Sequence, residues 1–347
     1  MKKLGAAVIG LKMGEEHLAA YSIHPEVDVV AICDTDKELL EKVAKAYKIK
    51  TAVTDYKELL DRKDIDVVSV ATPDHLHAEQ SIAAMKNGKH VLCEKPMVPT
   101  MEECSQIIKT VEKTKMKFMI GQARRFYLYF NKTVKSILES GVLGELYYIE
   151  SNYAHNYADV PGTGGWRKST KIIREPFLGG ACHAVDFVRW FAGDIDEAFA
   201  YSNHKCLPDW PVDDCTIASF KFKNGMVGKV FLSIGCRMPY DYGWRICGTE
   251  GTIMGDIDQQ NVKLYLHKIA GLGGFITLPT QQQEAIVTMT GRRAHPPIVA
   301  EVNEFIDCVL GRKPLVMTAR EGAKTVASCL AAIESARTGK PVKVKRV

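Results

Sequence analysis

Two short segments of the sequence carry side chains that could transfer protons. Residues 72–77 read Thr-Pro-Asp-His-Leu-His, and Glu94-Lys95-Pro96 begins 17 residues after His77. Lysine and histidine act as general acids or bases when their pKa lies near the working pH. Both segments follow short apolar runs, residues 67–71 and 90–93, which are typical of buried strands. In isolation each segment also fits a simple turn, but a lysine at the carboxyl end of a parallel strand lies where ligands bind.

A third segment has the composition of a nucleotide-binding turn. Gly10-Leu11-Lys12-Met13-Gly14 follows the first apolar run. In the fingerprint G-x-G-x-x-G, glycines let the backbone approach a pyrophosphate at a helix N-terminus. Only Gly10 matches strictly, because Lys12 stands at the second glycine position and Gly14 comes one residue early. Taken alone, the segment is equally consistent with a structural turn.

An acidic residue further along strengthens the nucleotide interpretation. Asp34 ends the second apolar run, 24 residues after Gly10, near the roughly 20-residue spacing of the acid that binds the adenosine ribose. Its carboxylate would repel a 2′-phosphate, which favours NAD over NADP, although Lys12 and Lys37 leave that preference open. A helix-capping role for Asp34 or Asp36 also stays open.

The elements that would position these residues alternate between strand and helix patterns over the first third of the chain. Continuous apolar strands between helices predict a parallel sheet with both faces covered, closing near Gly121. The predicted strands are residues 4–10, 27–33, 51–53, 67–71, 90–93 and 117–120, and the predicted helices are residues 17–23, 37–47, 56–61, 79–87 and 100–113.

The rest of the chain has a different pattern. Short strand-like runs follow one another without intervening helices, and Asn224-Gly225 is a strong hairpin turn, so we predict a large, mostly antiparallel open sheet. The fold class is thus α/β with two domains, residues 1–121 and 122–347. The predicted strands are residues 147–153, 195–201, 216–222, 227–233 and 245–247, and the helices are 130–140, 184–191, 299–310 and 322–336.

Composition excludes several classes of protein. Lysine and arginine number 46 against 41 acidic residues, a net charge of +5 with the basic residues dispersed, so no nucleic-acid partner is expected. No apolar stretch approaches the roughly 18 residues of a membrane span. Ten cysteines without a C-x-x-C pair indicate a reduced, cytoplasmic chain. No set of histidines, cysteines and carboxylates has metal-ligand spacing, so no metal is expected.

The two proton-transfer segments together resemble the glucose-fructose oxidoreductase, inositol dehydrogenase and rhizopine catabolism (Gfo/Idh/MocA) family of oxidoreductases. Their Thr-Pro-x-x-x-His and Glu-Lys-Pro elements, separated by a helix, are that family's most specific pair. The resemblance covers essentially the whole chain, with less detail between Asp258 and Arg293. It continues through residues 121–126, 141–145, 166–167, 179–186, 248–252 and 335–342.

The resemblance implies a Rossmann domain that binds NAD, followed by a domain for substrate binding and oligomerisation. It assigns catalysis to Lys95 and His183, and it implies a homo-oligomer, a dimer or tetramer. The implied cofactor-binding residues are Gly10, Lys12, Met13, Gly14, Asp34, Thr35, Thr72, Pro73, His75, His77, Glu94, Lys95, Gln122, Trp166 and Arg167. The implied substrate-binding residues are Arg125, Tyr153, His155, Trp166, Arg167, His183 and Asp186. Aromatic rings, arginines and histidines suit a sugar or cyclitol, whose ring has apolar C–H faces and polar hydroxyls.

One position departs from the family pattern. Gly179 stands where the family's D-x-x-x-H-x-x-D element has its first aspartate, whereas His183 and Asp186 are retained. The usual proton relay is therefore in doubt. Two assignments remain open: Lys95 is the main acid or base with His183 positioning the substrate, or His183 is itself the base. Asp186 also fits a structural role.

Three functions compete at this point. The favoured one is an NAD-dependent dehydrogenase that oxidises a ring secondary hydroxyl of a sugar, sugar derivative or inositol. A second uses transient oxidation to a 3-keto sugar to assist glycoside cleavage or epimerisation, with NAD recycled. A third is a non-catalytic sensor of NAD or sugar with the same fold, against which the presence of Lys95 argues.

Overall fold

The computed structural model describes residues 3–127, 130–158, 163–256, 261–266, 275–279 and 296–347. The chain forms two compact units, each with its own sheet. The first is Met1–Tyr127 with Gln283–Ala323, and the second is Leu128–Gln282 with Lys324–Val347. The first unit thus includes a late segment that the sequence division at residue 121 assigned to the second domain. The assignment of functions to residues 1–121 and 122–347 stays a prediction.

The first unit contains a six-stranded sheet in the order β3-β2-β1-β4-β5-β6, and all neighbouring strands are parallel. Its strands are β1 (Leu4–Ile9), β2 (Val27–Cys33), β3 (Thr51–Val53), β4 (Val67–Val70), β5 (His90–Glu94) and β6 (Phe118–Gly121). The helices between them are α1 (Gly14–Ile23), α2 (Lys37–Tyr47), α3 (Lys57–Leu60), α4 (His77–Lys86) and α5 (Met101–Thr114). Single helical turns cover Asp74–Leu76 and Ala123–Phe126.

Burial explains why the sequences of these strands are continuous apolar runs. All four residues of β4 and of β6 are buried, as are Ala6, Ala7, Val8 and Ile9 in β1. Helices cover both faces of such a sheet, so neither side of a strand needs polar residues. The start of α5 is set by Thr100, whose side chain accepts from the Glu103 N–H in a capping box.

The second unit contains a nine-stranded sheet among the described residues, in the order β14-β13-β12-β11-β7-β10-β9-β8-β15. It is antiparallel apart from the β7–β10 pair. Its strands are β7 (Leu146–Ala154), β8 (Ile195–Asn203), β9 (Cys215–Phe222), β10 (Val227–Ser233), β11 (Trp244–Gly248), β12 (Gly251–Gly255), β13 (Asn261–Leu266), β14 (Phe275–Pro279) and β15 (Val342–Lys343).

A helix of this part of the chain, Cys182–Ala192, packs on β7 and β10 of that sheet. In β9 every second residue is buried, the pattern of a strand with one covered and one open face. The segments are a π-type turn (Phe130–Val134), α6 (Lys135–Glu139), a 3-10 turn (Thr163–Lys168), α7 (Pro176–Gly179) and α8 (Cys182–Ala192). Helix α9 (Pro296–Val309) belongs to the first unit, where it packs on α1. It is followed by α10 (Ala319–Thr338).

The predicted fold class, a parallel doubly wound sheet plus a large, mostly antiparallel sheet, is confirmed. Within the described ranges, the helices are all too short or too polar to cross a lipid bilayer.

Candidate active site

The turn between β1 and α1 has the shape expected of a nucleotide-binding turn. Gly10 adopts a φ of +85°, and a Cβ placed on it would lie 2.7 Å from the carbonyl oxygen of Ala71. Both features require glycine. Helix α1 begins at Gly14, and within the described part of the chain Met13 at its N-cap makes no side-chain capping bond. The Glu15 and Glu16 N–H groups donate instead to the Leu11 and Met13 carbonyl oxygens.

The two aspartates after β2 have separate roles. Asp36 caps α2, since its Oδ1 accepts from the Leu39 N–H at 3.1 Å. Asp34 instead accepts from the Leu11 N–H at 2.7 Å and from the Asp36 N–H at 2.9 Å. The Asp34 carboxylate is thus tied to the β1–α1 turn. The capping alternative applies to Asp36, which leaves Asp34 at the position expected of a ribose-binding acid.

His77 connects the two proton-transfer segments. It is buried, its Nε2 lies 2.9 Å from the Thr72 carbonyl oxygen, and its Nδ1 lies 2.9 Å from the Pro96 carbonyl oxygen. Because a carbonyl only accepts, both ring nitrogens must donate, which requires the imidazolium. Burial lowers the pKa of His77, but Cys93, Asp74 and the Thr72 carbonyl outweigh it and raise the pKa to about 9. This geometry indicates that His77 positions the Lys95 segment; cofactor contact by His77 stays a prediction.

Lys95 lies at the carboxyl end of β5 and is half-buried. Its backbone N–H donates to Glu94 Oε2 at 3.0 Å, and the Lys95–Pro96 peptide bond is cis. The Glu94 side chain thus bonds the backbone just before the proline, and His77 bonds the carbonyl just after it. The backbone is therefore fixed on both sides of Lys95.

Glu94 also belongs to a buried polar group behind Lys95. His17 Nε2 lies 3.2 Å from Glu94 Oε1, and His17 Nδ1 lies 3.1 Å from Ser69 Oγ. Glu301 of α9 completes the group: its side chain is buried, and among the described residues neither of its carboxylate oxygens has a hydrogen-bond partner. Donor atoms of His17, Glu94 and Glu301 lie within 4.8 Å of one another. When two carboxyls lie this close, either one of them is protonated or a cation neutralises both.

The pKa values of the Glu94 and Glu301 carboxyls are shifted in opposite directions. Burial opposes ionisation of Glu94, but His17 and Lys95 outweigh it and hold its pKa below the usual value. Burial raises the pKa of Glu301 well above its usual range, and the charges of Glu94 and Glu16 raise it further. The arrangement therefore favours an ionised Glu94 beside a protonated Glu301. The sequence pattern did not reveal this group, because Glu301 is more than 200 residues from Glu94.

In the second unit, His183 lies beside a cluster of aromatic side chains. Its ring stacks on Tyr153, with centroids 6.2 Å apart. The Tyr153 hydroxyl lies 3.1 Å from that of Tyr157 and 3.2 Å from His155 Nε2. Burial and the neighbouring tyrosines raise the pKa of Tyr153 well above its usual value, so it keeps its proton. Tyr240 stacks on His155 at 4.1 Å and was not among the predicted site residues.

Trp166 and Arg167 join this cluster through Arg167 itself, and a further arginine, Arg174, was not among the predicted residues. The Arg167 guanidinium carbon lies 5.5 Å from the ring centres of both Tyr157 and Trp166. Arg174 lies 5.0 Å from the Trp166 ring and donates to the carbonyl oxygen of Gly179 at 2.9 Å. A Cβ built on Gly179 would overlap the Arg174 guanidinium. The absence of a side chain at position 179 was the available signal.

The other predicted cofactor- and substrate-binding residues range from buried to exposed. Asp186 is buried and accepts from Thr325 Oγ1 at 3.1 Å, which fits the structural alternative. Gln122 and Arg125 are buried at the end of β6, where the Gln122 carbonyl accepts from the Arg125 N–H at 2.9 Å. Thr72 Oγ1 donates to Gln80 at 2.7 Å. Pro73, Met13 and His75 are half-buried, and Lys12 and Thr35 are exposed. Their contacts with cofactor or substrate stay predictions.

Two family models match the chain. One, described as oxidoreductase family, NAD-binding Rossmann fold, matches residues 4–122. The other, the GFO/IDH/MocA C-terminal domain, matches residues 131–254. The chain belongs to the GFO/IDH/MocA oxidoreductase family. The family resemblance seen in the sequence, the oxidoreductase class and the NAD cofactor are thereby confirmed.

Characterised members of the GFO/IDH/MocA family are similar over most of this chain. Levoglucosan dehydrogenase of Pseudarthrobacter phenanthrenivorans is 27% identical over 301 residues, 75% of each chain. Inositol 2-dehydrogenase of Salmonella typhimurium is 26% identical over 253 residues, 72% of each chain. The solved structure of levoglucosan dehydrogenase in complex with NADH superposes with a TM-score of 0.87, at 24% identity and 100% coverage of both chains. The superposition shows that the fold is shared.

The residues of the first unit fit NAD. Gly10 lets the backbone approach a pyrophosphate at the start of α1, and Asp34 offers a carboxylate to the adenosine ribose.

Proposed function

We propose that this protein is an NAD-dependent dehydrogenase that oxidises a ring secondary hydroxyl of a sugar, a sugar derivative or an inositol. The observation that carries the proposal is the placement of Lys95 at the carboxyl end of β5. Glu94 and His77 bond the backbone on either side of it. The aromatic and histidine cluster around Tyr153 supports a sugar or cyclitol, because rings stack on C–H faces while hydroxyls need donors and acceptors. The names of the two similar dehydrogenases agree with this substrate class.

The chemistry requires one proton and one hydride to leave the alcohol. NAD⁺ supplies the hydride acceptor when it is bound. In the proposed mechanism, Lys95 is the base that accepts the hydroxyl proton while the carbon–hydrogen bond breaks and the carbon–oxygen double bond forms. His183 donates a hydrogen bond to the reacting oxygen and positions it. The alternative in which His183 is the base reverses these two assignments.

Kinetics of single and double variants separate the two assignments. Lys95→Met is expected to lower kcat for NADH formation by roughly a thousandfold, within the usual range for a general base. If Lys95 is the base, His183→Gln costs less than Lys95→Met. If both act on one chemical step, the double variant loses less than the product of the single losses. Lys86→Met, at an exposed position in α4, is the matched control and should keep wild-type activity.

The defining test is a screen of sugars, inositols and glycosides with NAD⁺, following NADH formation by absorbance. Stoichiometric NADH is expected with at least one substrate. Product formation without net NADH would contradict net oxidation and support the NAD-recycling route through a 3-keto sugar. Full activity of Lys95→Met would overturn the proposal. Membership in an oxidoreductase family favours an enzyme over the sensor alternative.

We also propose that the protein is a homo-oligomer. Tyr201, Ile217 and Phe231 are cross-strand neighbours on β8, β9 and β10, and therefore lie in one row on the same sheet face. Tyr201 is 66% exposed and Ile217 is 42% exposed in the single chain. A second copy of the chain covering this row would remove that apolar surface from water. A cytoplasmic location and the lack of nucleic-acid and membrane partners remain expectations from composition.

A further inference from the structure

A row of buried hydrogen bonds leads from helix α1 to the backbone of Lys95. The Tyr21 hydroxyl lies 3.0 Å from Ser69 Oγ, which lies 3.1 Å from His17 Nδ1. His17 Nε2 lies 3.2 Å from Glu94 Oε1, and Glu94 Oε2 accepts from the Lys95 N–H at 3.0 Å. The row lies within the first unit, where it joins α1, β4 and β5 and ends at the proposed catalytic residue.

Burial makes each hydrogen bond of this row important. Tyr21, Ser69 and His17 have no exposed surface, and Glu94 is 6% exposed. Ser69 is the one polar residue of β4, whose other three residues are valines. A buried polar group that loses its partner costs free energy, and a network with every member satisfied is rigid. The row therefore fixes its side chains relative to one another.

The hydrogen bonds of the row can all point toward Glu94. An ionised carboxylate only accepts, so His17 donates to it from Nε2. In the tautomer with its hydrogen on Nε2, Nδ1 accepts from the Ser69 hydroxyl, which in turn accepts from Tyr21. Burial raises the pKa of Tyr21 well above its ordinary value, so its hydroxyl keeps the proton that it donates. Each oxygen of Glu94 thus has one donor, the first from α1 and the second from the Lys95 backbone.

We propose that His17 is a positioning residue for the reaction, which holds the Glu94 carboxylate and through it the backbone of Lys95. This inference rests on the proposed function and adds one residue to its machinery. Helix α1 begins at Gly14, directly after the nucleotide-binding turn, and His17 is its fourth residue. The helix whose start would receive the cofactor pyrophosphate is therefore also the helix that places the proposed catalytic lysine.

Two amide variants separate the roles of the two ring nitrogens. His17→Gln places an amide nitrogen near the position of Nε2, so it can still donate to Glu94, whereas the shorter His17→Asn reaches Ser69 only. With the substrate found in the screen above, His17→Asn should lower kcat roughly tenfold, because small displacements of catalytic groups are costly. His17→Gln should restore kcat to within about threefold of wild type. The affinity for NAD⁺, measured by calorimetry, should stay within about threefold in both, since Gly10 and Asp34 are unchanged.

A double variant tests whether His17 acts through Glu94. His17→Asn combined with Glu94→Gln should have the kcat of Glu94→Gln alone, within about twofold. Lys89→Met is the matched control, because Lys89 is buried in the same unit and donates to the Arg62 and Ile65 carbonyl oxygens, just before β5 begins. It loses buried hydrogen bonds and should be less stable than wild type, but its kcat should stay within about twofold.

Two further measurements keep the test decisive if His17→Asn folds poorly or if activity is low. Ser69→Ala removes only the hydroxyl that orients the His17 ring, so it should lower kcat in the same direction by a smaller factor. Hydrogen–deuterium exchange, followed by mass spectrometry on a peptide that contains Lys95, needs no activity. This peptide should exchange roughly fivefold faster in His17→Asn than in wild type or His17→Gln. Circular dichroism verifies that each variant is folded.

The outcomes separate this inference from the proposed function. Wild-type kcat or wild-type exchange in His17→Asn overturns the inference, and so does a kcat loss that multiplies with that of Glu94→Gln. Weaker NAD⁺ binding at unchanged kcat also overturns it, since His17 would then only stabilise α1. If no sugar, inositol or glycoside yields NADH or product with the wild type, the dehydrogenase proposal fails, and the exchange rates alone decide whether His17 positions Lys95.

Discussion

The ring of His77 bridges the Thr72 and Pro96 carbonyl oxygens, at 2.9 Å from each. Thr72 follows β4 and Pro96 follows β5, so one side chain joins the ends of two neighbouring strands. The bond to Pro96 lies one residue beyond Lys95. Within the Thr-Pro-x-x-x-His segment, the histidine therefore stabilises the backbone that carries the proposed catalytic lysine.

The first prediction concerns the pH dependence of stability. The pKa of His77 is raised to about 9 in the folded protein, against about 6.5 in the unfolded chain. The folded state therefore binds the extra proton between these values. Its contribution to stability is complete below about pH 6.5 and is lost as pH rises to 9, by about 3 kcal/mol. Urea unfolding at intervals from pH 6 to 9 measures this decline.

In His77→Gln, the free energy of unfolding should decline less between about pH 6.5 and 9 than in the wild type, because the amide does not titrate. His90→Gln is the control: burial lowers the pKa of His90, so its contribution has the opposite sign and lies below about pH 6.5. The control should keep the wild-type decline above that pH. Identical slopes for wild type and His77→Gln would contradict the assignment.

The second prediction concerns Glu301. Its carboxyl has a raised pKa in the folded state, so it binds more protons there than in the unfolded chain above about pH 4.3. The contribution of the Glu301 carboxyl to the free energy of unfolding is complete below that pH, and it is lost as pH rises through the folded-state pKa. Glu301→Gln mimics the protonated acid. It should match wild type near pH 4 and be more stable than wild type at pH 8, as measured by urea unfolding.

A bound cation would give the opposite result. If His17, Glu94 and Glu301 held a divalent metal, Glu301→Gln would lower stability, and a chelator would lower the Tm of the wild type. Glu301→Ala separates packing from charge: it also removes the carboxyl but leaves a buried cavity, so it should be about 2 kcal/mol less stable than Glu301→Gln at either pH.

The third prediction separates the two aspartates after β2. Asp34→Ala should weaken NAD binding at least tenfold, because the ribose loses an acceptor and the Leu11 N–H loses its partner. Asp34→Ala should also lower the ratio of NAD affinity to NADP affinity. Asp36→Ala should leave NAD affinity nearly unchanged but cost about 1 kcal/mol of stability, since it removes the α2 cap. Calorimetric titration with both nucleotides tests this, and a wild-type preference for NADP would contradict it.

The fourth prediction concerns assembly. Ile217→Glu should lower the molar mass of the native protein toward that of one chain, because a carboxylate would be buried in the apolar row of Tyr201, Ile217 and Phe231. Ile23→Glu is the control, an equally apolar residue that is 61% exposed in the first unit. Light scattering coupled to size-exclusion chromatography provides the measurement. A monomeric wild type would refute the proposed oligomer.

Local sequence patterns predicted most elements of the fold. The bounds of β2, α2, β3 and β10 match the structure at both ends, and those of the other predicted strands differ by at most two residues. Buried parallel strands and amphipathic helices have distinct apolar periods over short stretches of chain, so such elements can be recognised from neighbours in sequence. The strands β12 to β15 were missed, since β15 is two residues long and the others lie at one edge of the sheet.

The residues of the candidate site were likewise predictable only where they lie in local motifs. Gly10, Asp34, Lys95 and His183 were identifiable because each lies in a short motif with a defined spacing. The Glu301 carboxyl beside Glu94 and the Arg174 guanidinium over Gly179 were not, although they set the charges around the proposed catalytic residues. A motif records which residue types follow one another along the chain. Electrostatics depends on distance and burial in space, and those arise only when α9 packs on α1 and when Arg174 fills the space beside Gly179.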